Sequence, residues 1–208
     1  MENDSFVTIA NNSTIEFTEK KSIFIASAYL VEKESDVNEI IEKTKKQYID
    51  ATHNCYAYML KSTQRFNDDG EPSGTAGMPI LNVITKMGLS NTLVIVTRYF
   101  GGIKLGAGGL VRAYSAAAAE VLLKAGKSIY VKGSRGTVEI DYNDFNTVER
   151  LLLRLDCEIE NKTFDRGVEI TFTTKDDWNI IAEAVNDACN GGALSEFVEN
   201  IYIKQKEI

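Results

Sequence analysis

Three blocks of the 208-residue chain carry residue types able to do chemistry, and all lie between positions 51 and 114. In Ala51-Thr52-His53-Asn54-Cys55-Tyr56-Ala57-Tyr58 the histidine and the cysteine are two apart, so on a β-strand both side chains share one face. Such a pair can make a thiolate nucleophile with His53 as its base; the same spacing equally suits a small buried cysteine beside a hydrogen-bonded histidine. In the second block Asp68, Asp69 and Glu71 place three carboxylates within four residues of a loop rich in Gly and Ser. Hard cations such as Mg²⁺ take oxygen ligands of this kind, which makes the three candidate metal ligands and Asp69 and Glu71 candidate acid/base groups. The spacing is not that of an EF-hand, and Asp-Gly and Glu-Pro are ordinary turn dipeptides. A second role is open to these carboxylates, that of holding Arg65, Arg98 or Arg112 in place.

The third block runs from Thr97-Arg98-Tyr99-Phe100 into Gly101-Gly102-Ile103-Lys104-Leu105-Gly106-Ala107-Gly108-Gly109. A strand, a glycine loop and a helix in that order can cradle an anion on backbone N–H groups at the helix start. Neither standard fingerprint is met: Val111 stands where a dinucleotide fold wants a small residue, and no Gly-Lys-Ser/Thr follows. The glycines can also serve close helix-to-sheet packing. Arg98, Lys104 and Arg112 flank the loop, and Tyr99, Phe100 and Tyr114 are available to stack on bases. The candidate anion- or RNA-binding set is therefore Arg65, Arg98, Tyr99, Phe100, Gly101, Gly102, Lys104, Gly106, Gly108, Gly109 and Arg112.

The elements that must position these residues follow from periodicity. Ser13–Phe17 and Ser22–Val31 read as strands around a Glu-Lys-Lys turn, and Ser35 reads as the cap of a helix burying Val37, Ile40, Ile41 and Tyr48. Asn54–Leu60 reads as a strand. Thr75–Met87 reads as a helix with Pro79 in its first turn and Gly88 at its exit. The apolar run Leu93-Val94-Ile95-Val96 is expected of a strand buried on both faces. Leu110–Ala125 reads as the helix after the glycine loop. A composition break at Lys132-Gly133-Ser134-Arg135-Gly136 separates this part, residues 1–132, from a second domain at 135–208. There, strand Thr137–Asp141, helix Asp144–Leu155, hairpin Glu158–Phe164 and Gly167–Thr173, helix Asp176–Cys189 and strand Phe197–Ile203 give the order β-α-β-β-α-β. That order is the ferredoxin-like arrangement, and the chain as a whole reads as α+β.

Composition excludes several classes. With 44% hydrophobic residues and a formal net charge of −7, the chain has enough apolar material for a core and is not disordered. No apolar run approaches the roughly 18 residues of a membrane span, and the acidic start is the reverse of a signal peptide's basic region, so a cytoplasmic protein is expected. The three cysteines are far apart and never in a Cys-x-x-Cys pair, which indicates neither a disulfide framework nor a cysteine zinc site. Residues 51–128 hold eight basic and four acidic side chains, whereas residues 131–208 hold nine basic and sixteen acidic. A mildly basic middle is thus joined to an acidic tail that fits a protein-contacting or tethering module better than a nucleic-acid platform, and fits a plain solvated surface as well.

The first block, the stretch Asp68-Asp69-Gly70-Glu71-Pro72-Ser73-Gly74-Thr75-Ala76-Gly77-Met78-Pro79-Ile80-Leu81 and the run from Thr97 to Tyr114 together closely resemble the Impact family, in its bacterial two-domain YigZ type. The resemblance implies an N-terminal α/β sandwich like the second domain of the small ribosomal subunit's fifth protein. It also implies a C-terminal ferredoxin-like domain like that at the end of elongation factor G. Eukaryotic Impact regulates translation by restraining the amino-acid-starvation kinase through an additional RWD domain. The 50 residues before Ala51 leave no room for that domain, so the kinase role is not expected to carry over.

The leading expectation is a translation-associated regulator that binds RNA or a ribosome-associated partner through the glycine-rich, basic surface, with no cofactor. The alternatives are a hydrolase-type enzyme acting on a phosphorylated or peptide substrate through the carboxylate-rich loop, with a divalent metal and with His53 or Cys55 assisting, and a protein-interaction adaptor working through the acidic C-terminal domain.

Overall fold

The computed structural model describes residues 5–207 as a mixed α/β protein with two antiparallel sheets and five helices. Internal contacts divide it into two compact units, Phe6–Ile129 and Tyr130–Gln205. In chain order the first holds β1 (Ser5–Ile9), β2 (Ser13–Glu19), β3 (Ser22–Leu30), α1 (Glu34–Gln47), β4 (His53–Met59), β5 (Gln64–Asn67), α2 (Gly77–Lys86), β6 (Thr92–Tyr99) and α3 (Ala107–Ala125). Its sheet runs β2-β3-β6-β4-β5.

β6 is the central strand and is buried on both faces, as its apolar run requires. Val94 and Val96 join Ile80 and Ile84 of α2 and Ala117, Ala118 and Val121 of α3 in one core cluster. Leu93 and Ile95, pointing the other way, join Val37 and Ile41 of α1 in a second. The side-chain period of two thus assigns α1 to one face of the sheet and α2 with α3 to the other. The alanines of α3 let that helix approach the sheet closely.

The second unit holds most of β7 (Lys127–Ile140), then α4 (Phe145–Arg154), β8 (Glu158–Phe164), β9 (Val168–Thr174), α5 (Trp178–Ala188) and β10 (Leu194–Glu207). β9 lies between β7 and β8, while β1 and β10 both pair with β7. Val138, Ile140, Val168, Ile170 and Phe172 from the strands pack on Val148, Leu152, Ile181 and Val185 from the helices.

Several elements differ from the sequence reading. Residues 132–136 are not a loop but the middle of β7, a few residues past the point, between Ile129 and Tyr130, where the two units divide. Gly133 and Gly136 serve packing there: a Cβ would come within 2.4 Å of the Ile203 side chain at the first and 2.2 Å of the Trp178 ring at the second. α1 begins at Glu34, and Asp36, not Ser35, accepts from the Glu32 and Lys33 backbone N–H groups. α3 begins at Ala107, three residues before Leu110, so Gly108 and Gly109 belong to its first turn and not to the loop. β1 and β5 were not anticipated.

Candidate functional site

The three blocks converge on the α2–α3 side of the sheet, where β4 and β6 are neighbours. Register puts His53 opposite Arg98 and Cys55 opposite Val96. The loop 68–76 lies against β4: the His53 Nδ1 donates to the Asp69 carbonyl at 2.8 Å, and the Cys55 thiol to the Asp68 carbonyl at 3.0 Å. His53 and Cys55 therefore do share a side of the strand.

Glu71 is the centre of the cluster. Its Oε1 accepts from Arg98 Nη1 at 2.6 Å and from the Tyr114 hydroxyl at 2.8 Å, and His53 Nε2 stands 3.9 Å away. The ion pair is closed off from solvent, with side-chain exposures of 5% for Arg98 and 3% for Glu71. Arg98 Nη2 donates to Ser22 Oγ at 3.1 Å, and the guanidinium lies 5.4 Å from the Phe24 ring centroid and 5.5 Å from that of Phe100. Ser22 Oγ also accepts from the Gly101 N–H. Gly101 is glycine because the β2–β3 turn occupies its side-chain space: a Cβ would fall 1.9 Å from the Lys21 carbonyl oxygen.

The carboxylates of the loop are already engaged. Asp68 Oδ1 accepts from the N–H groups of Ala76 and Gly77, and its Oδ2 from that of Gly74. Asp68 thus caps α2 from outside the helix, whose own N-cap Ala76 offers no acceptor. Asp69 Oδ2 accepts from the Asn54 N–H at 2.6 Å. Among the described residues no group of three or more His, Cys, Asp or Glu side chains is placed to hold a metal ion. The carboxylates instead fix the loop and, through Glu71, one arginine. Arg65 and Arg112 are elsewhere: Arg65 faces Glu34 at 3.6 Å, and Arg112 lies exposed on α3.

Burial pushes the Cys55 thiol up to about 12, with the nearby carboxylates of Glu71, Asp69 and Asp68 adding to the rise and a hydrogen bond to Tyr114 opposing it. The thiol is therefore protonated at neutral pH, and a nucleophilic thiolate is not available in this state. Desolvation likewise raises the Tyr114 phenol well above its ordinary value. Tyr114 is fully buried, so it cannot stack on a base as its sequence position allowed; it joins Cys55 to Glu71 instead. Its burial was legible in the recurrence of Leu110, Ala113, Tyr114, Ala117, Ala118 and Val121 at helical spacing. Nothing in the sequence marked Ser22 or Phe24 as partners of Arg98.

The remaining candidates form an exposed surface. Phe100 is 46% and Ile103 43% exposed, Val111 is exposed with them, and Lys104 and Arg112 are both exposed. The Tyr99 hydroxyl donates to Asp50 at 2.9 Å. Gly102 and Gly106 adopt φ of 82° and 74°. Gly106 opens the 19-residue α3, which has no side-chain cap and no acidic residue in its first turn; Gly108 and Gly109 follow within that turn. Backbone N–H groups there carry the positive end of the helix dipole.

The Impact N-terminal domain model matches residues 20–122. IMPACT family member YvyE of Bacillus subtilis (strain 168) is 38% identical over 205 residues, covering 97% of this chain and 94% of that protein. IMPACT family member YigZ of Escherichia coli (strain K12) is 31% identical over 154 residues, 72% of this chain and 76% of that one. A solved crystal structure described as that of a hypothetical protein is 27% identical and superposes with a TM-score of 0.66, covering 95% of this chain and 98% of its own. Among the described residues no helix is long and apolar enough to cross a membrane.

Proposed function

The chain belongs to the IMPACT family, and from that premise we propose that it is a cytoplasmic, translation-associated regulator that binds RNA or a ribosome-associated ribonucleoprotein through the surface at the start of α3. The observation that carries this reading is the uncapped, glycine-rich first turn of α3 with Lys104 and Arg112 exposed beside it and Phe100 and Ile103 presenting apolar faces. Bare N–H groups and two cations suit phosphate, and the aromatic and aliphatic faces suit unpaired bases. Arg98 leaves the contact set: its guanidinium neutralises Glu71 and holds Ser22, which in turn fixes Gly101 at the entry to the loop. On this reading the buried cluster is the support on which the binding surface is built.

The element order β-α-β-β-α-β of the second unit, with β9 between β7 and β8 and β10 on β7, supports the ferredoxin-like reading of residues 135–208. The sheet with α1 on one face and α2 and α3 on the other supports the α/β sandwich reading of the first. Neither fold by itself dictates a task.

The experiment is a salt titration of single-stranded and duplex RNA binding for the wild type, Lys104→Ala and Arg112→Ala. Each substitution removes one phosphate contact and lowers the slope of log K against log salt by about 1. Absence of binding at low salt, or slopes unchanged in both variants, overturns the reading and returns the glycines of this loop to packing alone.

A further inference from the structure

The outer edge of β5 is a strand edge without a partner beside a groove. β5 is the last strand of its sheet, and among the described residues no strand lies beyond it. The Leu60 N–H donates to the Thr63 carbonyl at 2.8 Å where β4 turns into β5, and this sets the phase of the ladder. Because facing residues of an antiparallel pair alternate between bonded and non-bonded, Arg65 and Asn67 turn their backbone groups toward β4. Gln64 and Phe66 turn theirs outward.

The two faces of this edge differ chemically. Phe66 stands opposite Ala57, whose side chain belongs to the α2–α3 core cluster. On that face a groove of about 530 Å³ runs between β5 and α2, lined by Gln64, Arg65 and Phe66 of β5 and by Met78, Leu81, Asn82 and Thr85 of α2; the Arg65 guanidinium itself turns toward Glu34. Its α2 wall is one helical stripe, and both Phe66 (40%) and Met78 (39%) are exposed. Arg65 stands opposite Tyr58 on the α1 face. Its contact with Glu34, at 3.6 Å between side chains 67% and 44% exposed, is an ion pair of the exposed kind that contributes at most about 1 kcal/mol. An incoming carboxylate can therefore engage the guanidinium.

We propose that this edge receives an extended peptide as an additional strand, with alternate side chains apolar and acidic. The apolar ones enter the groove between Phe66 and Met78, and the acidic ones meet Arg65 on the opposite face. Strand addition of this type draws affinity from main-chain hydrogen bonds and specificity from alternate side chains. With two outward-facing residues on β5, binding is short and weak, in roughly the micromolar-to-millimolar range. Arg65, one of the candidate RNA contacts read from the sequence, lies on β5 facing Glu34, and this surface shares no residue with the one proposed at the start of α3 and does not rest on that reading.

The test uses the full chain and two labelled octapeptides, one of alternating valine and aspartate and one of alternating valine and lysine, with amide NMR as the readout. The expected result is slowed exchange and shifted resonances at Gln64 and Phe66, and binding of the aspartate peptide at least tenfold tighter than the lysine peptide. Arg65→Glu inverts that preference. Phe66→Pro removes an outward N–H while sparing the β4 ladder, the setting in which edge strands accept proline, and lowers affinity at least tenfold. Met78→Glu, on the exposed face of α2, gives the same loss and serves if the proline variant does not fold. Absence of shifts at these two amides with millimolar peptide overturns the proposal, as do equal affinities for the two peptides or unchanged affinity in the groove variants that fold.

Discussion

Replacing Glu71 by glutamine keeps the shape of the side chain and an oxygen for the Tyr114 hydroxyl, but it leaves the Arg98 guanidinium charged and buried with no anion. At side-chain exposures of 5% and 3% solvent cannot compensate, and breaking a buried pair from one side costs about 3–5 kcal/mol. For a unit of this size that is a fall in its Tm of roughly 12–20 °C. Arg98→Met should cost a similar amount, because it strands the carboxylate beside Tyr114 and His53. The double variant removes both charges together, so its loss should be smaller than the sum of the single losses by about 2 kcal/mol or more. Urea denaturation followed by far-UV circular dichroism measures the cycle. The single tryptophan, Trp178, lies in the Tyr130–Gln205 unit, so its fluorescence reports separately on the unit that should be unaffected. Additive losses within about 0.5 kcal/mol, or a coupling that vanishes in molar salt as a surface pair's would, would refute the reasoning that this pair is the support of the site.

Two other outcomes follow from the same cluster. Asp68→Ala removes the acceptor of three backbone N–H groups at the start of α2 and should destabilise the protein by about 2 kcal/mol, the upper range for a lost helix cap; denaturation midpoints check this, and a loss under about 0.5 kcal/mol contradicts it. The Cys55 thiol, raised to about 12 from 9.0, contributes stability that is complete below pH 9 and is lost as pH climbs from 9 toward 12, by up to about 1.4 kcal/mol per pH unit. Cys55→Ala should accordingly show a shallower decline in stability across that window than the wild type, and Cys55 should resist iodoacetamide at pH 8; rapid alkylation of the native protein at that pH would show the thiol to be accessible and ionisable.

What could be read in the sequence was what depends on local period and local composition. β6, α2 and the helical stripe of α4 announce themselves because burial on one or both faces leaves a pattern in neighbouring residues. β5 left no such trace: all four of its residues are exposed, so an edge strand carries no alternation to detect. The glycines of residues 132–136 read as loop residues, whereas here they are strand residues because Ile203 and Trp178, far along the chain, occupy the space above them. The site shows the same division. The spacing of His53 and Cys55 correctly assigned them to one face, and the proximity of carboxylates to arginines correctly raised the ion-pair role. Which arginine is chosen depends on the β4–β6 register, a long-range fact. Arg98 sits on the most buried strand of its unit, between partners supplied from residues 22, 71 and 100. A cation there could never have been a broad nucleic-acid contact, because the energy that ties it to Glu71 must first be overcome. Exposed Lys104 and Arg112 bear no such constraint, and any phosphate the glycine turn binds must find its charge in them.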